Sequence, residues 1–419
     1  MKNKTFIIAI TLFAVFSMSI FICLNRDKNI LKEEIINDVP KESIAVYIKQ
    51  ENGNYEKNNS IPNKDAGYQL NETKSICDGT ASISWNKNEW GLELANIDKD
   101  NIKCYLYFDK ITVKDIILAN KTISERPNFN MLTIDPGNTI YSLPDDDGTS
   151  YYYAGAAKNN YVKFAGFYWR IIRINGDNTI RLIYQGTSVT STGTDTQIST
   201  SAFNSSYNDN MYVGYKYASG NVHGTSTNST IKGVLDSWYT SNLVSYASKI
   251  DTNAGFCNDR ESSTANTSSN GSGGIGTTTT YYGGYIRFVP GGSWSSNPTP
   301  TFKCKNINTD YFTVSGASKG NKALQYPIGL LTADEAVAAG TNWNEGNSSF
   351  YLYTGQNYWT MSPYSFSGTN AWVFIVIVSG NLNAYTVGNT IGVRPVINLR
   401  SDTTFSSGDG TALNPYIVD

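Results

Sequence analysis

The chain has 419 residues, enough for two or three domains with separate cores, and a formal net charge of −2. Acidic and basic residues are mixed along it with no lysine and arginine stripe, which excludes nucleic acid as a partner. One histidine and five cysteines without a C-x-x-C spacing exclude a zinc site, and no metal or cofactor is expected.

Lys2 and Lys4 precede an uncharged apolar run at residues 6–24. It is long for the core of a cleaved signal and about right to cross a bilayer as a helix, so residues 1–24 are expected to be a transmembrane signal anchor. The remainder then faces outward from the cell membrane, above a polar stalk at 25–43. Short apolar runs separated by turns predict a small β-sandwich-like module at 44–108. Cys23 falls inside the apolar run, leaving Cys77, Cys104, Cys257 and Cys304. Four cysteines can pair in three ways; the sequence-local choice is Cys77 with Cys104 and Cys257 with Cys304. Residues 109–150 are expected to be a linker, with a short helix at 114–120. Its end carries Asp145, Asp146 and Asp147, which lack the closing glutamate of a calcium loop and read as a solvated turn.

The large domain spans 151–419. Two β-branched and aromatic runs, 162–174 and 179–184, flank Asn175-Gly176 and predict a hairpin, with Arg170 and Arg173 escaping at the strand edges. Ile231, Leu235, Trp238, Leu243, Tyr246 and Ile250 recur at helical spacing and predict a helix over 231–250. A second helix, at 331–340, carries a capping box between Thr332 and Glu335, with Gly340 to close it, and is expected to partner the first. Two helices with several hairpins make an α+β domain. Stretches rich in Ser, Thr, Asn and Gly at 187–194, 201–208, 220–230 and 262–280 are too polar to order themselves.

After that helix come Tyr358-Trp359-Thr360-Met361-Ser362-Pro363, the apolar strand at 371–378, and Gly392-Val393-Arg394-Pro395. This order resembles the C-terminal half of a C-type-lectin-like domain. The residues from Leu330 to Ala336, with the closing Gly-x-Arg-Pro, are similar to formylglycine-generating-enzyme-type domains. Residues 358–399 also resemble the variable region of retroelement-associated receptor proteins, and 151–419 more broadly resemble exported Gram-positive bacterial proteins. The resemblance implies a surface that recognises a glycan or protein ligand. It does not carry over the family's enzymes: no cysteine follows Cys304, and His223 is the only histidine.

The residues expected to meet a ligand are Tyr358, Trp359, Tyr364, Phe366, Asn370, Trp372, Phe374 and Tyr385, because aromatic faces stack on sugars and form protein hot spots. Catalysis finds little support. His223 lies in a polar loop without an obvious orienting carboxylate, and Asp259 with Glu261 is more readily a local salt bridge than a glycosidase pair. The expectation is a membrane-anchored, non-catalytic recognition protein. A structural envelope protein, or a carbohydrate-active enzyme, is the alternative.

Overall fold

The Asn-Gly hairpin forms the spine of the larger unit. In the computed structural model, Phe167–Ile174 and Ile180–Gly186 pair antiparallel, with Ile174 opposite Ile180. The glycine acts differently from a tight-turn residue. The left-handed position of the loop is Asn178 (φ 68°), whereas Gly176 lies against the turn at 145–148. A Cβ on Gly176 would sit 2.6 Å from the Gly148 nitrogen and collide with the Asp145 carboxylate, which accepts from the Gly176 N–H (2.8 Å). Gly176→Ala should therefore cost about 1–3 kcal/mol through overpacking, measurable by urea denaturation. A loss of only a few tenths would show that the turn yields.

The structure describes residues 6–9, 21–24, 44–50, 53–96, 102–119, 121–130, 138–263, 273–289 and 298–418. The chain divides into two units, one up to Ile111 and one from Thr112. The segment expected as a linker is thus split. From Thr112 onward it supplies the capped helix Val113–Leu118 and the strands Thr122–Ser124, Thr139–Pro144 and Thr149–Tyr152, which extend the sheet of the larger unit.

That sheet runs from Thr122–Ser124 through Thr139–Pro144 and Thr149–Tyr152 to the spine strand Phe167–Ile174. Tyr161–Phe164 also pairs with the spine, and Val396–Leu399 closes the far edge against Ile180–Gly186. Arg170 and Arg173 do not escape to solvent as expected; they are 4% and 8% exposed, and Arg181 on the next strand is 1% exposed. The spine has sheet on both edges and core on both faces, so each guanidinium must find partners inside.

A second sheet is built on Tyr358–Phe366, followed by Ala371–Val376 and the edge strand Leu382–Thr386, with Ile391–Val393 and Ser199–Ser201 on its other side. One hydrophobic core joins the two sheets, including Trp169, Ile171, Leu182, Trp359, Val373 and Ile397. The helix Ala333–Ala339 is the expected capped one. Thr332 and Glu335 exchange the capping-box bonds, and Gly340 ends it at φ 126°. It packs on the second sheet, where Ala333, Val337 and Ala338 meet Phe374 and Leu382. The other long helix, Thr230–Asn242, is shorter than expected and gives way to a 3-10 turn at Val244–Lys249. It lies beside Ser199–Ser201 instead of pairing with the capped helix.

The fold class and the membrane anchor also need correction. The fold is mostly β rather than α+β: strands far outweigh the short helices among the described residues. The apolar run at 6–24 is not seen as a transmembrane helix. Its described parts, Phe6–Ala9 and Phe21–Leu24, are strands paired antiparallel with each other, the first also pairing with Gly91–Ala95. The rest of that run and the stalk at 25–43 lie outside the described residues. Among the described residues, no helix is long and apolar enough to cross a membrane. The physical reason is that an unbroken apolar run rich in Ile and Phe has no helical period of its own and suits a strand equally well.

The polar stretches were expected not to order. They order wherever an occasional large side chain can be buried: Phe203 is fully enclosed against Trp359, and Asn210 bonds the carbonyls of Gly276 and Thr278. Residues 264–272 of the last stretch lie outside the described residues.

The smaller unit stacks a sheet of Tyr55–Asn58, Ile44–Lys49, Cys104–Lys110, Tyr68–Leu70 and Ile76–Cys77 on the hairpin Ser82–Asn86 and Gly91–Ala95. Trp85, Leu92 and Leu94 meet Val46, Leu106 and Phe108 between them. The disulfides are Cys77–Cys104 and Cys257–Cys304, the sequence-local pairing.

Candidate functional site

The expected ligand-binding residues do not share one surface. Tyr358, Trp359, Phe366 and Phe374 are fully buried. The Trp359 indole donates to the Ser201 carbonyl (2.9 Å) and the Tyr358 hydroxyl to Leu352 (3.0 Å), so all four are core. Tyr385 stands opposite Val373, while Trp372 and Phe374 point to the other face of the sheet. Asn370 lies in the turn before Ala371–Val376, half-buried. Only Tyr364 and Trp372 are half-exposed on the face of the capped helix.

Tyr364 is the centre of a row that the sequence did not reveal. Its ring lies parallel to Trp343 (centroids 5.5 Å, 2°) and edge-on to Tyr285 (5.3 Å), which in turn packs on Tyr281 (4.3 Å). All four are half-buried, and Phe374, backed by Phe288, forms the floor beneath Tyr364. Three separate segments deliver the row. Trp343 follows the capped helix. Tyr281 pairs with Ser365 at the end of the Tyr358–Phe366 strand. Tyr285 rides on the helix Gly283–Phe288, where Gly284 lets the backbone press onto Phe374; a Cβ there would lie 2.9 Å from that ring. Burial, reinforced by Tyr285 and Tyr281, pushes the Tyr364 phenol well above its ordinary value. Tyr364 therefore stays a hydrogen-bond donor at neutral pH. The Tyr-Tyr-Gly-Gly-Tyr sequence at 281–285 was the one available signal for this half of the row.

A second concentration of polar groups lies under the capped helix. Glu335 receives Arg173 (3.0 Å) and Arg181 (2.5 Å), Arg173 also reaches Asp145 (3.2 Å), and Arg287 forks onto Asp334 (2.8 and 2.9 Å) while holding Asp259 (3.0 Å). Burial pushes the Glu335 carboxyl up, but Arg181 and Arg173 more than offset it and hold it below the ordinary range. The free space here is about 20 Å³, room for a water or two and not for a sugar ring. Each carboxylate of the cluster already faces a guanidinium, as in a structural network.

The other groups singled out in the sequence are also engaged. Asp259 and Glu261 serve different cations, Arg287 and Lys305 (3.2 Å). Asp145, Asp146 and Asp147 turn to Arg173, the Cys304 N–H (2.8 Å) and Lys319 respectively, so they do not converge on one point. His223 does have an orienting carboxylate. Its Nδ1 lies 3.0 Å from both oxygens of Asp310, a fully buried residue that Arg260 also grips (2.7 Å). Arg260 fixes Asp310 as an acceptor, which makes Nδ1 the donor.

No family model, curated protein or solved structure matches this chain. Disulfides persist in oxidising surroundings, and the two bridges mark an exported protein.

Proposed function

We propose that this exported protein is a non-catalytic recognition protein whose larger unit binds a glycan or protein ligand across the row Trp343, Tyr364, Tyr285 and Tyr281. The observation that carries the proposal is the half-exposure of four contiguous aromatic rings over an apolar floor. Rings held rigidly by their neighbours offer contact area at low entropic cost. Their flat faces favour a glycan, whose C–H faces stack on them. The larger unit is read as C-type-lectin-like. The sequence order of capped helix, hairpins and closing Gly-x-Arg-Pro strand supports this reading.

A glycan array probed with the whole chain tests the proposal. Reproducible hits should weaken about 30-fold in Trp343→Ala, the loss of one aromatic hot spot of about 2 kcal/mol. Tyr385→Ala, on the opposite face, should leave them unchanged. A blank array, or hits indifferent to Trp343, would sink the glycan arm and with it the role assigned to the row.

A further inference from the structure

The smaller unit carries a surface that the row in the larger unit does not explain. On Cys104–Lys110, burial alternates: Cys104, Leu106 and Phe108 face the core, so Tyr105, Tyr107 and Asp109 face outward. The neighbouring strands carry the pattern across the sheet. Tyr47 stands beside Tyr107, Lys57 opposite Tyr47, and Tyr55 opposite Lys49. The rings touch: Tyr47 is stacked on Tyr107 (4.9 Å, 16°) and Tyr55 meets Tyr107 edge-on (5.0 Å). Lys74 reaches over the same rings, 4.1 Å from Tyr55 and 5.0 Å from Tyr107. At one end the patch continues into Tyr105 and Ile76, which are 36% and 62% exposed.

Among the described residues, the free charges that the outward positions of these strands carry are lysines. The outward carboxylate, Asp109, is already occupied by the Tyr55 hydroxyl (2.5 Å) and the Asn71 amide (2.8 Å). Lys49, Lys57 and Lys74 are exposed, and among the described residues no ion pair engages them. Lysines around stacked tyrosines on one sheet face are complementary to a chain of rings that carries negative charge. Adjacent strands lie about 4.8 Å apart. A polymer crossing the strands meets the outward edges and hydroxyls of the stacked tyrosines while its acidic groups meet the flanking lysines.

We infer that the outer face of this sheet, centred on Tyr47, Tyr107 and Lys57, is a second binding surface, and that its ligand is an acidic polysaccharide. The surface acts independently of the row in the larger unit.

The test measures binding of the whole chain to polygalacturonate, to neutral dextran and to a single-stranded oligonucleotide, at low and at high salt. Polygalacturonate should bind, and high salt should weaken it. The exposed double substitution Lys49→Glu/Lys57→Glu should weaken binding about tenfold or more, as should Tyr107→Ser. Trp343→Ala should leave it unchanged, which separates this surface from the one proposed above. An unchanged thermal melting curve for the lysine variant shows that the surface alone was altered. No binding to polygalacturonate, equal binding to dextran or to the oligonucleotide, loss on Trp343→Ala, or a charge-reversed variant that binds like the parent would each overturn the inference.

Discussion

Glu335→Gln is expected to lower the unfolding free energy of the larger unit by about 3–5 kcal/mol, the cost of removing one partner from a buried ion pair. The substitution keeps the shape and removes the charge. Arg181 keeps the carbonyls of Gly255 and Leu330, and Arg173 keeps Asp145, but both guanidiniums lose the carboxylate between them. An amide NH₂ turned toward either arginine would also set donor against donor. The same residue predicts a pH dependence. Its carboxyl is held below the ordinary value of 4.5 in the folded protein, so its contribution is complete above that pH and is lost as the pH falls through the folded value. Urea denaturation followed by tryptophan fluorescence between pH 7 and pH 3 should show a steep acid limb in the parent and a flatter one in Glu335→Gln. A loss below about 1 kcal/mol at pH 7 would mean that the network is no stronger than a surface pair.

The second large effect belongs to the smaller unit. Cys77 and Cys104 are 27 residues apart. Closing a loop of that size removes about 3.5 kcal/mol of unfolded-state entropy in the chain-entropy model. The core beneath it is small, centred on Trp85, Leu106 and Phe108. Few units of this size have stability to spare. Cys77→Ser/Cys104→Ser should leave the smaller unit largely unfolded at 37 °C while the larger unit, with its own core and the Cys257–Cys304 bridge, stays folded. Limited proteolysis reads this directly, since the variant should be trimmed to a resistant fragment beginning near Thr112. Full-length protection of the variant would refute it.

How much of this was legible in the sequence depended on how near each partner lies along the chain. The Thr332–Glu335 capping box was readable because its members are three residues apart, and the disulfides because the nearest pairing is also the formed one. The hairpin was readable from its apolar runs, although Gly176 turned out to be needed for close approach. Burial of the arginines was not readable, since Arg173 meets Glu335 from 162 residues away. The same holds for the aromatic row. Tyr364 was picked out by its neighbours in sequence, most of which are core, whereas Trp343, Tyr285 and Tyr281 reach it only through folding. The apolar run at 6–24 misled for another reason: hydrophobicity without period does not choose between helix and strand.

The order in which the spine sheet is completed bears on how the protein is made. The edge of Ile180–Gly186 is filled by Val396–Leu399, with Ile183 paired to Val396. A ribosome adding about 5–20 residues per second therefore takes on the order of 10–40 s to deliver that partner strand. Through this interval a strand of wholly buried type presents an open, adhesive edge. Nascent chains of this protein are thus best held extended by secretion chaperones and folded only after translocation, where both the closing strand and the oxidant for its bridges are at hand.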